Sequence, residues 1–155
     1  MTAFRLIVLA AAATLLAGCS SYSAPELSIE KAELRERTPS GMVLEFTINA
    51  ENRNSEPLPL REVRYRLLLD GNEVFSGTRS AEATLRRYGG QRFTLPAVIT
   101  PGGEGVPTSG VVPFRISGSL KYITPGELAA VLFDAEVRQP EVSFDLEGRI
   151  DLTAK

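Results

Sequence analysis

From Leu27 onward, apolar residues recur mostly at every second position. Met42, Leu44, Phe46, Ile48 and Ala50 alternate with Val43, Glu45, Thr47 and Asn49. Val63, Tyr65, Leu67 and Leu69 alternate with Arg64, Arg66, Leu68 and Asp70. Val112, Phe114, Ile116, Gly118, Leu120 and Tyr122 interleave with smaller or polar residues. The last run sets Val142, Phe144, Leu146, Gly148, Ile150 and Leu152 against Ser143, Asp145, Glu147, Arg149 and Asp151. A period of two gives a strand one dry face and one wet face, so these runs predict half-buried strands. Turn signals divide them. Asp70-Gly71-Asn72 suits a tight hairpin, because Gly and Asn accept positive φ. Gly89-Gly90 predicts a second turn, between Leu85 and Phe93, and the Gly- and Pro-rich stretch Thr100–Gly110 reads as a longer loop. About seven strands follow, which implies an antiparallel β-sandwich.

One segment breaks the period. Thr124-Pro125-Gly126-Glu127 opens a short helix over Leu128–Phe133. Thr124 suits the N-cap, Pro125 the first helical position and Glu127 a capping box. Leu128, Val131 and Leu132 form its apolar face, which should plug one end of the sandwich.

The N-terminus follows a different rule. Met1–Arg5 carries one positive charge, and Leu6–Ala17 is apolar apart from Thr14. That run is shorter than the roughly 20 residues that span a bilayer and matches the core of an export signal, residues 1–18. Leu16-Ala17-Gly18-Cys19-Ser20 resembles the bacterial lipobox, in which the Cys thiol takes a diacylglycerol group, the chain is cut before the Cys, and the new amine is acylated. Two or three acyl chains hold far more persistently than one. The resemblance implies a covalent lipid on Cys19 and no other cofactor. It implies a chain held on the bacterial envelope through its lipid, with residues 19–26 as acylated Cys and tether and residues 27–155 as the folded domain. Ser20 stands where inner-membrane retention often shows Asp; by analogy with enteric bacteria this points to the outer membrane, facing the periplasm.

Composition narrows the chemistry. The chain of 155 residues is 43% hydrophobic and 23% charged, which suits a folded body of one domain. It has one Cys and no His, which removes disulfides, Cys-based metal sites and the commonest general base. A net charge of −2 argues against nucleic acid as a partner. Gly102-Gly103-Glu104-Gly105 lacks the Gly-Lys-Ser/Thr ending of a phosphate loop, which argues against nucleotide. Ser119 and Lys121 share a strand face, but nothing nearby supplies an oxyanion hole. Asp145 and Glu147 alternate with Arg149 on a wet face and read as solubilising charge. Arg64 and Arg66 share a face and should pair with carboxylates on a neighbouring strand. Tyr65 and Tyr122 fall on inner faces, where each hydroxyl needs a partner. The basic run Arg86, Arg87, Tyr88 and Arg92 is a candidate interaction surface for anionic headgroups or an acidic partner, or a hairpin tip whose charges blunt an edge.

Several features occur in a recognisable order. Asn52-Arg53-Asn54 precedes Pro57-Leu58; a strand with Tyr65 runs into Asp70-Gly71; Val74, Gly77 and Thr84-Leu85 follow, then Phe93-Thr94-Leu95-Pro96, Gly118–Tyr122 and Val142–Leu152. This order resembles the late embryogenesis abundant group 2 family, with its water stress and hypersensitive response (WHy) domain, over roughly Leu27 to Leu152. The family's Asn-Pro-Asn turn has Arg53 in place of Pro. The resemblance implies a fibronectin- or immunoglobulin-like sandwich, all-β with one short helix. It also implies a non-enzymatic protective or binding role in desiccation or envelope stress. The alternative is an accessory subunit that binds other envelope proteins through a sandwich edge or loop surface.

Overall fold

The structure, a computed structural model, describes residues 22–100, 105–126 and 128–153. The export signal, Cys19, the start of the tether, the capping-box Glu127 and part of the 100–110 loop lie outside the described residues. The elements are β1 (Glu26–Thr38), β2 (Gly41–Asn52), β3 (Leu58–Leu69), β4 (Asn72–Ser80), β5 (Thr84–Leu85), β6 (Gly89–Ile99), β7 (Val111–Tyr122), α1 (Ala129–Asp134) and β8 (Glu141–Asp151). One sheet has the order β1-β2-β6 and the other β4-β3-β7-β8, with the two-residue β5 beside the start of β3. The described ladders are antiparallel. This is the sandwich the alternation implies, with the short β5 added.

The inward set is the one read from the period. Met42, Leu44, Phe46, Ile48 and Ala50 of β2 face Val63, Tyr65, Leu67 and Leu69 of β3 and Phe114, Ile116 and Leu120 of β7 across one core. Phe46 and Phe114 meet with ring centroids 5.1 Å apart. β1 obeys the period only in pieces. Leu27, Ile29, Ala32 and Leu34 pack on the core, but Ile29 and Ala32 are three positions apart because a bulge lies between Ile29 and Lys31. The extra residue resets the phase and keeps both halves facing inward.

Three hydrogen bonds tie the two sheets together. Arg37 on β1 donates to the Leu152 carbonyl at 2.6 Å, and Arg79 on β4 donates to the Thr94 carbonyl of β6 at 2.8 Å. Tyr65 on β3 donates to the Pro96 carbonyl of β6 at 2.5 Å, so its expected partner is found. Tyr122 is buried on its inner face as well, and among the described residues no fully buried side-chain nitrogen or oxygen is left without a partner. Tyr65→Phe is expected to cost about 1 kcal/mol at neutral pH, the usual net worth of such a bond. Burial pushes the Tyr65 phenol above its ordinary value, against the pull of the Arg79 charge. A raised folded value means the stabilisation is whole below the unfolded value and fades as pH rises through the folded one. The gap between wild type and Tyr65→Phe in urea unfolding should therefore shrink above about pH 10. A gap that widens there would contradict this assignment.

Two turns depart from expectation in detail. The β3–β4 hairpin puts positive φ on Asp70 and Gly71, at 49° and 81°, as a two-residue hairpin of matching twist requires. Gly89 and Gly90 are not the turn. They open β6, paired with Asn52 and Glu51, and the turn before them places Tyr88 at φ 48°. The helix also differs. It runs Ala129–Asp134 after Leu128 with no side-chain cap, and its buried residue is Phe133. Leu128 and Val131 are 68% and 62% exposed and Leu132 is only partly buried, so most of the expected apolar face points to solvent and does not plug the core. Phe133 instead lies under the guanidinium of Arg61, whose carbon stands 6.0 Å from the ring centroid.

Candidate functional site

A concavity lies on the outer face of β4-β3-β7-β8. It is a shallow depression of about 730 Å³, lined by Arg64, Arg66, Ser76, Thr78, Ser117, Ser119, Ser143 and Asp145. Its floor follows from the register. Gly77, Tyr65, Gly118 and Phe144 lie side by side across the four strands. At Gly118 the backbones of β7 and β3 approach so closely that a Cβ would stand 2.0 Å from the Arg64 carbonyl oxygen. The outward neighbours on this part of the sheet are short hydroxyl residues, so the face sinks between the flanking arginines.

The charges here are largely satisfied. Arg115 forms a bidentate pair with Asp145, its Nε donating at 2.7 Å, and reaches Glu147 at 3.5 Å. The hydrogen bond from Arg115 holds the Asp145 carboxyl below the usual carboxylate range, so it is a weak base. The expected carboxylate partners of the two arginines are found only in part. Arg64 meets Glu62 of its own strand at 3.4 Å, whereas Arg66 donates to the Ser117 hydroxyl at 3.1 Å. Lys121 turns to Gln139 at 2.9 Å and Glu62 at 3.8 Å, not to Ser119. The depression therefore offers neutral hydroxyls, paired ions and the Arg66 guanidinium, whose hydrogen bond goes to the Ser117 hydroxyl. It can bind water or a polar ligand, and its serines have no adjacent base to activate them.

The basic run divides. Arg86, Arg87 and Tyr88 sit exposed on the turn before β6. Arg92 is on β6 itself, where its Nε meets Glu30 at 2.5 Å. Cys19 lies outside the described residues.

Beside that turn is a cluster that sequence reading valued only as a turn. Asn52 and Asn54 are buried, at 2% and 9% exposure. The Asn52 amide nitrogen donates to the carbonyls of Glu56 at 2.7 Å and Arg86 at 3.1 Å. Its oxygen accepts from the Asn54 backbone at 2.9 Å and from the Asn54 side-chain amide at 2.7 Å. Asn54 then holds Ser23, accepting from its N–H and donating to its carbonyl, each at 2.9 Å. The Tyr88 N–H donates to the Asn54 carbonyl at 3.0 Å. Neither Asn takes a left-handed φ. Two amides thus join the N-terminal segment, the 53–57 loop and the 86–88 turn, each polar atom satisfied as burial demands. The paired Asn at positions two apart, with the family's Pro missing between them, was the available signal. Residues 22–26, read as part of a tether, are docked: Tyr22 donates to Glu56 at 3.2 Å and Ala24 packs on the core.

Comparison with known proteins agrees with this geometry. Residues 47–126 match the family described as Late embryogenesis abundant protein, a span that includes the Asn pair, the β3–β4 hairpin and Gly118. No curated protein matches the sequence. The solution structure of AT1g01470 from Arabidopsis thaliana superposes with a TM-score of 0.66 at 14% identity, covering 90% of this chain and 89% of that one. The solution structure of At2g46140.1, described as of the late embryogenesis abundant (LEA) type, gives 0.64 at 14% identity, covering 99% and 85%. At such identity these likenesses speak for the fold.

Proposed function

The chain belongs to the late embryogenesis abundant protein family, and from that premise we propose that it is a lipid-anchored protein of the bacterial envelope that shields other proteins and membranes as water is lost, without turnover. That family is not a known enzyme family. The observation that carries the shielding role is the character of the two outer faces. Both are set with opposite charges held in pairs: Lys31 with Glu33 at 2.5 Å, Arg35 with Glu45 at 3.6 Å, Arg92 with Glu30 at 2.5 Å, and Arg115 with Asp145 and Glu147. Such faces stay hydrated and, with only isolated exposed apolar residues such as Val98 and Val111 among those described, give little foothold to an unfolding neighbour. The anchor rests on Leu16–Ser20, with Cys19 as the acylated residue.

The test is a labile reporter enzyme dried or heated with the exported chain, Ser20–Lys155, beside an equal mass of an unrelated acidic protein. Reporter activity should survive well above the control, with less light scattering. Equal survival in the two would remove the shielding role.

A second reading has one observation in its favour. β8 is an edge strand that pairs with β7 from Glu141 to Asp151 without a register shift, and an unbroken edge can accept another strand. On that reading the protein is an accessory subunit of an envelope assembly. A partner crosslinked in fixed stoichiometry in intact cells, lost when Pro replaces Leu146, would favour it over shielding.

A further inference from the structure

One end of the sandwich gathers features that the proposed anchor brings to the membrane. β1, β3, β6 and β8 begin there and β2 and β7 end there, as the registers require. The described chain enters at this end, and Asn54 grips Ser23 by both its N–H and its carbonyl. Only four residue steps separate Cys19 from Ser23. An extended chain spans at most about 3.6 Å per residue, so an acylated Cys19 lies no more than about 15 Å from the clasp. A headgroup layer is roughly 5–8 Å deep on each side of the hydrocarbon. The clasp can therefore stand at most about 10 Å beyond that layer, which keeps this end of the sandwich the one turned to the membrane.

The side chains at this end suit that contact. Tyr88, on the turn bound to Asn54, is 72% exposed, with Arg86 and Arg87 beside it. Leu128, Val131 and Val137, in the α1 connection, are 68%, 62% and 72% exposed. The other large exposed apolar residues among those described, Val98 and Val111, lie toward the opposite end. Asp134 and Glu136 flank the apolar group, so net charge does not select the surface; chain reach and exposed apolar area do.

We infer that the clasped end of the sandwich is a lipid-docking surface, with Tyr88 at headgroup level and Leu128, Val131 and Val137 entering the interface. Aromatic rings with a polar tip favour that depth, and the arginines beside Tyr88 reach phosphate oxygens of any phospholipid. The inference rests on the anchor reading and adds an orientation to it.

The chain contains no Trp, so single tryptophans report cleanly. Tyr88→Trp, Val131→Trp and Val111→Trp, each at an exposed site, are made in the full acylated protein and reconstituted into phosphatidylcholine vesicles with and without brominated acyl chains. Circular dichroism confirms each fold. Intact mass of the N-terminal peptide reads acylation of Cys19 separately. Bromine should quench the tryptophans at 88 and 131 at least twofold and leave that at 111 within a tenth of its unbrominated intensity. Acylation with equal quenching at all three positions, or none, overturns the docking surface, whether a second copy or another protein covers the patch instead. An unmodified Cys19 overturns the anchor itself.

Discussion

Gly118→Ala is expected to cost about 4 kcal/mol or more, close to the whole stability of a small domain. The added Cβ would stand 2.0 Å from the Arg64 carbonyl oxygen and 2.8 Å from the Tyr65 Cα. Both atoms are backbone, and both belong to the central strand β3. Relief needs β3 and β7 to separate where Tyr65 pairs with Gly118, in the middle of their ladder. That would also draw Tyr65 away from Pro96 and open the floor of the outer depression. Gly148→Ala is the control. There the Cβ would meet the far end of the Phe114 ring, 2.7 Å from Cζ. A ring can tilt, so the expected cost is about 1–3 kcal/mol, the usual range for overpacking. Urea unfolding of the three proteins, with m unchanged, checks the order. A loss below about 1 kcal/mol for Gly118→Ala, or equal losses for both variants, would overturn the argument from close backbone approach.

Asn52→Ala should be the second most damaging surface-end substitution, at about 3 kcal/mol. It strips hydrogen bonds from the Glu56 and Arg86 carbonyls and from both amides of Asn54 at once. Each buried polar group left unpaired costs about 1–3 kcal/mol, and water entering at the end of the sandwich recovers part of the sum. Asn54→Ala removes a shared bond, so the double variant should lose less than the two singles combined. Hydrogen exchange gives the local readout. The Ser23 and Tyr88 amides should exchange at least tenfold faster in both single variants, while β7 amides keep their protection relative to global unfolding. Additive losses with unchanged exchange at Ser23 would show that the two amides do not act as one clasp.

These two sites differ in how they could be read from sequence. Gly118 stands on the inward phase of an otherwise apolar strand, which marks a close approach without saying to what. Asn52 and Asn54 look like ordinary turn residues, because nothing local tells that Ser23 and Arg86 arrive beside them. The same division holds for the helix. Its composition suggests an apolar face turned inward, yet the core is already filled by the two sheets, and only Phe133 finds cover, under Arg61. The basic run shows it again. Neighbours in sequence, Arg86 and Arg92 part company because one lies on a turn and the other on a strand facing Glu30.

The sequence by itself determined the strands, the hairpin at Asp70-Gly71, the inward residues and the family resemblance. Those depend on a period of two and on the φ preferences of single residues, which are local properties. Tertiary structure alone decided which strands neighbour one another, where β1 bulges, what Gly118 approaches, and how the Asn pair gathers three distant segments at one end. Those depend on contacts between residues far apart in the chain, whose partners are set only when both sheets close on a common core.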